Sequence, residues 1–326
     1  MTRNRESIAA AAQPAGEKNP RLLQVVFAFA AIYLIWGSTY LMIRYVVASV
    51  PPLFAAGTRC VAAAIILGAH AFITGYRLRI RHLLPTLVLG VLFFLLGHGL
   101  LHWGEQYVSS GLAALFVATQ GLWVALFSVM RRHDFAVLTP RVIAGLTIGL
   151  AGTCILVLAN GTLRASSPLG LLAIVASPIA WSAAIVYSRG ADLPANNSAR
   201  CALPLAWGGA FLLLASFAHE HTAVLAHMQV SRVALFAWAY LVIFGTVIAF
   251  SAYTYLLREC PPYAVSSYTY VNPVVAVVIG HAIAHEPMSR MMLLAGMLVV
   301  LALMALTIPS RSIPLDRFRH SLQRSA

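Results

Sequence analysis

Ten long apolar runs, separated by short polar or turn-forming segments, limit most strongly how this chain can fold. A helix needs about 20 predominantly apolar residues to cross the hydrocarbon core of a bilayer. Within that core, backbone groups must be bonded inside helices or closed barrels. The pattern therefore predicts an all-α integral membrane protein with ten transmembrane helices. We place them at residues 22–43, 53–74, 83–103, 109–130, 141–159, 168–188, 202–219, 233–256, 263–284 and 291–309.

Composition supports a membrane location and excludes two other classes of protein. Hydrophobic residues make up 60% of the chain, charged residues make up 10%, and the mean hydropathy is +0.84. A soluble enzyme of this size and composition would have too few polar residues to cover its surface. The net charge of +13 comes from basic residues between the apolar runs, and no nucleic-acid-binding motif accompanies it. The expected partner is the lipid bilayer, not nucleic acid.

The distribution of basic residues predicts how the chain is oriented. With the amino terminus in the cytoplasm, 17 of the 22 Lys and Arg residues fall on the inner side, 4 fall on the outer side, and Arg59 falls within a run. Cytoplasmic loops normally carry this excess. We therefore expect both termini to be cytoplasmic, with residues 1–21 a disordered tail and residues 310–326 a basic tail.

The two halves of the chain share short similarities in the same order. Trp36 lies near the start of the first half, and Trp181 occupies the matching place in the second. Arg59 then follows the first tryptophan as Arg200 follows the second. Because each half has five helices, an odd number, the second copy would be inverted, and inverted repeats place a substrate site between the halves near the midplane. We assign the two repeats to residues 22–160 and 168–309.

The ninth run contains an interruption that hydrocarbon alone would not tolerate. Asn272 and Pro273 follow Tyr270 in an otherwise lipid-compatible stretch. Proline removes a backbone donor, and lipid cannot satisfy an amide side chain, so this stretch is expected to line a cavity. Gln120-Gly121 stands at the equivalent place in the fourth run. We expect Gln120 and Asn272 to face each other across the repeat axis.

Three residues of the first repeat are further candidates for the cavity wall. Trp36 lies too deep for the interfacial aromatic belt, so it could stack on a substrate or close a gate. Ser38 could bond across a helix interface or serve only close packing. Arg59 lies well inside a run, where a charge costs about 2.5 kcal/mol or more at the bilayer centre. It could hold a substrate anion, anchor its helix, or pair with Glu105.

Histidines and one carboxylate indicate proton or metal chemistry. His98 and His102 are four residues apart, so they share a helix face, and His281 and His285 repeat the spacing. Such a face could relay protons, bind a metal, or pack with its hydrogen bonds satisfied. Glu105 could take up a proton at the outer mouth or remain a solvated loop carboxylate. His98 and Glu105 are our candidates for proton coupling.

No cofactor and no metal are assigned. The chain lacks a Walker-type phosphate loop and a Gly-x-Ser-x-Gly elbow, so ATP hydrolysis is not the expected energy source. The cysteines form no CxxC pair, and we expect free, buried thiols. They are Cys60, Cys154, Cys201 and Cys260.

Taken together, these motifs resemble the EamA-type permeases of the drug/metabolite transporter superfamily. The resemblance covers about residues 24–309 and is carried by Ile35 through Tyr40, Arg59, Glu105 through Gly111, Tyr268 through Val275, and Glu286. It implies two inverted five-helix repeats and a bacterial inner-membrane carrier whose relatives export amino acids, other metabolites or drugs. The chain departs from the family in two places. Gly121 stands where a proline is usual, and the loop after the fourth run lacks the usual Glu-Arg pair.

We therefore expect a secondary transporter that moves a small metabolite or a drug across the inner membrane by alternating access, with export as the direction. One alternative is a histidine-rich, metal-dependent intramembrane enzyme that acts on lipid. Another is a membrane anchor or assembly subunit without transport. Pairing into a homodimer is left open. The expected substrate-binding residues are Trp36, Ser38, Arg59, Gln120, Trp181, Tyr270 and Asn272.

Overall fold

The structure, a computed structural model, describes residues 20–104, 106–107, 110–132, 138–159, 167–220, 229–284 and 289–307. Within these residues the regular secondary structure is entirely helical. We number the helices α1 to α10 and count contiguous helical pieces as one helix. They are α1 (Pro20–Val47), α2 (Pro52–Ile73), α3 (Ile80–Gly104), α4 (Ser110–Ala118 and Gln120–Arg132), α5 (Pro140–Ala159), α6 (Pro168–Ser188), α7 (Asn197–His219), α8 (Arg232–Glu259), α9 (Tyr268–Ala284) and α10 (Arg290–Thr307), with a short helix, Pro262–Val265, before α9.

Local sequence explains where several helices begin. The side chains of Ser167, Asn196 and Ser231 each accept a hydrogen bond from the backbone N–H three residues later, at 3.3, 3.0 and 3.0 Å. These are the bonds of helix N-caps, which satisfy donors that the first turn leaves unpaired. Pro52 occupies the first position of α2, where its missing N–H is not needed.

Among the described residues, six helices are long and apolar enough to cross a membrane, namely α1, α2, α3, α6, α7 and α8. Helices α4, α5 and α10 contain shorter apolar helices of 10–17 residues, and α9 has 17 residues. At about 1.5 Å per residue, 17 residues fall short of a hydrocarbon core about 30 Å thick. The all-α membrane fold is confirmed, while ten crossings stay a prediction.

Two of the shorter helices are interrupted at positions that the sequence pattern did not predict. Helix α4 breaks at Thr119. The ninth run breaks at Ser266 and Ser267, whose hydroxyls donate to carbonyls of the preceding short helix at 3.0 and 2.6 Å. Pro273, expected to mark the break, lies inside α9. The serines offer the backbone local bonds that compete with helix continuation, so α9 starts only after them.

The two halves pack according to one exchange rule. Helices α2 and α7 form the most extensive interface, and α5 and α10 form the next. Helix α1 packs on α8 and α9, and its counterpart α6 packs on α3 and α4. We match α1 to α5 in order with α6 to α10. Each of these pairings then recurs when every helix is replaced by its counterpart in the other half, as expected of two related five-helix halves.

The counterpart helices α3 and α8 share an unusual backbone. Gly90–Gly99 in α3 and Leu241–Ile248 in α8 are π-helical. The Thr246 hydroxyl donates to the Leu241 carbonyl within the second segment, at 2.9 Å. Such segments are rare and occur frequently at functional sites. Their recurrence in both halves marks α3 and α8 for closer inspection.

The exterior of the helices is apolar. Large side chains such as Phe27, Ile73 and Phe236 are 65%, 81% and 70% exposed. Exposed apolar surface on this scale would promote aggregation in water, whereas lipid acyl chains match it. The bilayer therefore covers the outer faces of the bundle.

Candidate functional site

Largely buried aromatic rings from both halves meet between the helices. We define the central cluster as Trp36 on α1, Phe93 and Phe94 on α3, Trp181 on α6, Phe250 and Tyr253 on α8, and Tyr268 on α9. The ring centroids of Trp36 and Trp181 lie 6.5 Å apart, with ring planes at 83°. Trp36 also packs on Tyr268 at 4.7 Å. These edge-to-face contacts are favourable for aromatic rings, and they bring together the two tryptophans that we matched by sequence.

Hydrogen bonds fix both tryptophans in the central cluster. Trp181 Nε1 donates to the Tyr253 hydroxyl at 2.9 Å. Trp36 Nε1 donates to the carbonyl of Gly245, in the π-helical part of α8, at 2.8 Å. The Ser177 hydroxyl on α6 donates to the carbonyl of Gly97, in the π-helical part of α3, also at 2.8 Å. Each π-helical segment thus binds a side chain from the first helix of the other half.

Two buried amides carry polar atoms that lack partners. Gln120 and Asn272 are 2% and 3% exposed. Gln120 Oε1 accepts a hydrogen bond from the Tyr268 hydroxyl at 3.1 Å, which leaves Gln120 Nε2 as an unpaired donor. Asn272 Oδ1 is an unpaired acceptor. An unsatisfied buried polar atom costs about 1–3 kcal/mol, so a ligand that supplies the missing partners would gain binding energy here.

The structure connects the two amides through α9. Tyr268 and Asn272 are four residues apart, so they lie on the same face of this helix. Gln120 bonds to Tyr268 and therefore meets the face that carries Asn272. Asn272 is also close to α1, since a Cβ on Gly37 would lie 3.4 Å from the Asn272 carbonyl oxygen. The expected pairing of the two amides across the repeat axis is compatible with these contacts.

Two of the expected wall residues lie outside the central cluster. The Tyr270 hydroxyl donates to the Leu146 carbonyl on α5 at 3.4 Å, and its ring is so close to Gly149 that a Cβ there would lie 2.7 Å from the ring. The Ser38 hydroxyl lies 2.7 Å from the hydroxyl of Tyr240 on α8. Both side chains pack helices together in this conformation, and a role in binding remains a prediction.

Arg59 joins the central cluster through His98. Arg59 is 6% exposed, and its Nη2 lies 3.5 Å from His98 Nδ1, a long hydrogen bond in which the guanidinium donates. The His98 ring stacks on Trp181 with centroids 5.1 Å apart and planes at 27°. Arg59 Nε has no partner. Glu105, the partner considered from the sequence, lies outside the described residues.

The histidine pair on α3 forms a local hydrogen bond. The rings of His98 and His102 lie 5.4 Å apart, and His102 Nδ1 donates to the His98 carbonyl at 2.8 Å. Across the described part of the chain, no three His, Cys, Asp or Glu residues group as metal ligands do. His285 and the side chain of His281 lie outside the described residues.

The four cysteines are free thiols, but only two of them are buried as we expected. Cys60 and Cys201 are buried, and Cys154 and Cys260 are partly buried. Cys260 lies between α8 and the short helix, and desolvation raises the pKa of its thiol to about 11. A thiol whose pKa is raised in this way is a poor nucleophile near neutral pH.

Some residues of the central cluster were not among those expected to bind substrate. Tyr253 is fully buried, holds Trp181, and packs 5.1 Å from Trp36. Phe93 packs 4.7 Å from Trp181. The available sequence signal was the spacing of Phe250 and Tyr253, three residues apart on one helix face. Tyr268, one turn before Asn272, gave a similar signal.

Arginines at one end of the bundle bind backbone carbonyls at the ends of helices. Arg189 donates to the carbonyls of Leu257 and Cys260, at the end of α8, at 3.0 Å each. Arg141 donates to the Met304 carbonyl of α10 at 3.0 Å. Cations near helix carboxyl termini offset the helix dipole. These arginines are among those that we assigned to the inner side, and their bonds to helix ends give them a structural role of their own.

Comparison with protein families identifies the chain's relatives. The model of the EamA-like transporter family matches residues 23–158 and again residues 168–308. A protein described as the uncharacterized inner membrane transporter YedA of Escherichia coli K12 is 36% identical over 291 residues, which cover 88% of this chain and 92% of that protein.

More distant relatives share most of the chain as well. An uncharacterized transporter of Bacillus subtilis, YvbV, is 27% identical over 273 residues, with 83% of this chain and 87% of that protein covered. The protein PagO of Salmonella typhimurium is 28% identical over 302 residues, with coverages of 89% and 97%. One crystal structure matches with a TM-score of 0.73 at 21% identity over 87% of this chain and 96% of that one, which shows a shared fold.

Proposed function

The chain belongs to the EamA-like transporter family, and from this premise we propose that it is a secondary transporter working by alternating access. Its cargo would be a small metabolite, such as an amino acid or a similar solute, or a drug. Export across the bacterial inner membrane is the proposed direction. The family and its transporter-named members identify a membrane transporter and not an enzyme.

The proposed topology has ten crossings in two inverted repeats, residues 22–160 and 168–309, with both termini in the cytoplasm. Two copies of the family match support the repeats, and the exchange rule in helix packing supports their relation. The excess of basic residues on one side supports the orientation.

The observation that carries the proposal is the pair of half-satisfied amides beside the central cluster. Gln120 offers a free donor and Asn272 a free acceptor, both buried where neither water nor lipid satisfies them. Aromatic rings next to them would contact apolar parts of a cargo, and the amides would orient its polar groups. Because one amide comes from each repeat, a bound molecule would contact both halves.

Burial of these polar atoms also supports alternating access. In this conformation the central cluster is closed, with Trp181 6% and Tyr253 0% exposed. A cargo can reach Gln120 and Asn272 only after helices of the two halves separate. Motion of one repeat against the other around a fixed site is how inverted-repeat transporters open to each side in turn.

Transport can be tested by flux with one amide removed. Cells that overproduce the chain would be screened for altered resistance to toxic amino acids, their analogues and common drugs. Export of any responding compound would then be measured in the Asn272→Leu variant, where we expect a loss of about tenfold or more, because the variant removes a polar contact to cargo.

The matched control is Asn197→Leu, which makes the same change where the amide is already bonded to Ser251 and Thr254. We expect this variant to retain export per folded molecule. Unchanged export in Asn272→Leu would contradict the proposed site, and a chain that alters resistance to no compound would contradict the transport proposal.

Proton coupling through His98 or Glu105 is part of the same proposal. Its test is the export rate after a protonophore collapses the proton gradient. A rate that stays unchanged would remove coupling while leaving the substrate site in place.

A further inference from the structure

We propose that Arg59, His102 and the apolar side chains around them form a subsite for the carboxylate of an organic monoacid, an assignment that rests on the transport function proposed above. We call this the Arg59 pocket. It lies between α1, α2, α3 and α8 and includes Val46, Ala55, Ala56, Arg59, His102 and Trp238.

The charge of Arg59 favours a bound anion. In the described part of the chain the ion pairs are those of Arg21 with Glu259 and of Arg81 and His82 with Asp192, and Arg59 belongs to none of them. Its guanidinium is nevertheless buried. A buried charge is costly unless it is paired, and within a membrane protein such a residue commonly marks a substrate or ion pathway.

The hydrogen-bond donors of Arg59 are arranged to suit a carboxylate. Nε of Arg59 is unpaired, and Nη2, on the same edge of the guanidinium, makes only a 3.5 Å contact with His98. A carboxylate binds such an edge through two parallel hydrogen bonds. Arg21 directs the corresponding edge, Nε and Nη2, to one carboxylate oxygen of Glu259, so this chain already pairs this edge of an arginine with a carboxylate.

The wall of the Arg59 pocket suits an acid with a single charge. The described side chains lining the pocket are apolar apart from Arg59 and His102, and no carboxylate is among them. Such a wall suits the hydrocarbon part of a small acid. It offers nothing to a second charge, so a phosphate or the ammonium of a zwitterionic amino acid would be buried without a partner.

The pocket is continuous with the central cluster. His98 contacts Arg59 on one side and stacks on Trp181 on the other. The pocket has a volume of about 10 Å³ in this conformation, which holds about one water molecule. An acid would therefore enter when the helices separate, with its carboxylate on Arg59 and its apolar body directed to the aromatic rings.

The test measures the affinity of phenylacetate for the purified full-length protein. Binding is monitored by tryptophan fluorescence and by calorimetry at constant ionic strength. Phenylacetamide, which has the same shape without the charge, and phenylalanine, which adds an ammonium, are the comparison probes. We expect phenylacetate to bind at least about tenfold more tightly than either, because only it pairs with Arg59 without burying a second charge.

Variants identify the residue responsible. Arg59→Gln should weaken phenylacetate binding about tenfold or more. Arg59→Lys keeps the charge but not the two-donor edge, so its affinity for phenylacetate should lie between those of the unchanged protein and of Arg59→Gln. Arg200→Gln removes the repeat counterpart, which is bound to the Pro194 carbonyl at 3.0 Å, and should change affinity by less than about twofold.

Three results would overturn the assignment. They are equal affinity for phenylacetate and phenylacetamide, unchanged affinity in Arg59→Gln, or a gain of about tenfold in Glu105→Gln, which would show that Arg59 already holds an internal carboxylate. None of these affects export that depends on Asn272. Conversely, if the protein binds phenylacetate but exports no compound, the assignment of the pocket stands and the transport proposal fails.

Discussion

Helix α4 and its counterpart α9 each hold a buried amide beside the central cluster, but they do so with different backbones. In α4, Gln120 follows directly after a break and precedes Gly121. In α9, Asn272 lies in the second turn of the helix and precedes Pro273. Two halves with the same packing scheme have thus reached an equivalent side chain by different local structures.

The glycine that follows Gln120 can be traced to one residue, Tyr270. A Cβ on Gly121 would lie 2.9 Å from the Tyr270 hydroxyl, and a Cβ on Gly149 would lie 2.7 Å from its ring. Tyr270 belongs to the second half, yet it fills space that glycines of the first half leave open. A proline at position 121, usual in the family, would meet this tyrosine, so the departure seen in the sequence has a steric reason.

The largest loss of stability is expected from emptying the space that the Tyr270 ring fills. Tyr270→Ala removes a ring that is 1% exposed, and truncating a buried aromatic residue costs about 3–5 kcal/mol. Thermal or denaturant unfolding of the purified protein would measure the change. Tyr270→Phe is the matched control and should cost about 1 kcal/mol or less, because it loses only the long hydrogen bond to Leu146. Equal costs for the two variants would mean that packing against the glycines is unimportant.

An intermediate effect is expected from filling the space on the glycine side. Gly149→Ala should destabilise the protein by about 1–3 kcal/mol, since the new methyl group overlaps the Tyr270 ring. The control is Gly296→Ala, where the nearest atom would be 3.7 Å away and the alanine should be neutral or stabilising by up to about 1 kcal/mol. In a Tyr270→Ala background, Gly149→Ala should lose its penalty. A penalty that persists there would rule out Tyr270 as its cause.

The smallest effect is expected from removing one hydrogen bond of one amide. Tyr268→Phe deletes the donor to Gln120 Oε1 and should cost about 1 kcal/mol. Because this bond concerns the first-half amide, combining Tyr268→Phe with Gln120→Leu should give less than the sum of the single effects. Combination with Asn272→Leu should be closer to additive. Equal departures from additivity in the two double variants would show that Tyr268 interacts as strongly with Asn272 as with Gln120.

Much of this arrangement could be predicted from the sequence. Deep tryptophans and interrupted apolar runs are conspicuous because lipid penalises them, so Trp36 and Asn272 were identified from their chemistry. Trp181 and Gln120 were identified from their matching places in the other half of the chain. The all-helical membrane fold followed from run length, and the family from several motifs in fixed order. Arg59 was recognised because a charge within an apolar run is costly.

The remaining features depend on angles that a run of apolar letters does not specify. Tyr268 and Tyr270 look equivalent in sequence, but two residues correspond to about 200° around a helix, so one ring enters the central cluster and the other faces α5. The break at Ser266 and Ser267 was missed because proline is the more familiar interruption. The π-helical segments have no composition that distinguishes them from α-helix.

Those π-helical segments have a mechanical consequence. Each backbone hydrogen bond in them spans one residue more than in an α-helix. Helices α3 and α8 therefore contain more residues per turn beside the central cluster than a regular α-helix would. If a segment tightens by one residue, everything beyond it turns by about 100° about the helix axis. Such a turn swings Tyr253 away from Trp36 in α8, and moves His102 out of the wall of the Arg59 pocket in α3. These two segments, one in each half, can therefore redirect the side chains that line both sites as the helices separate.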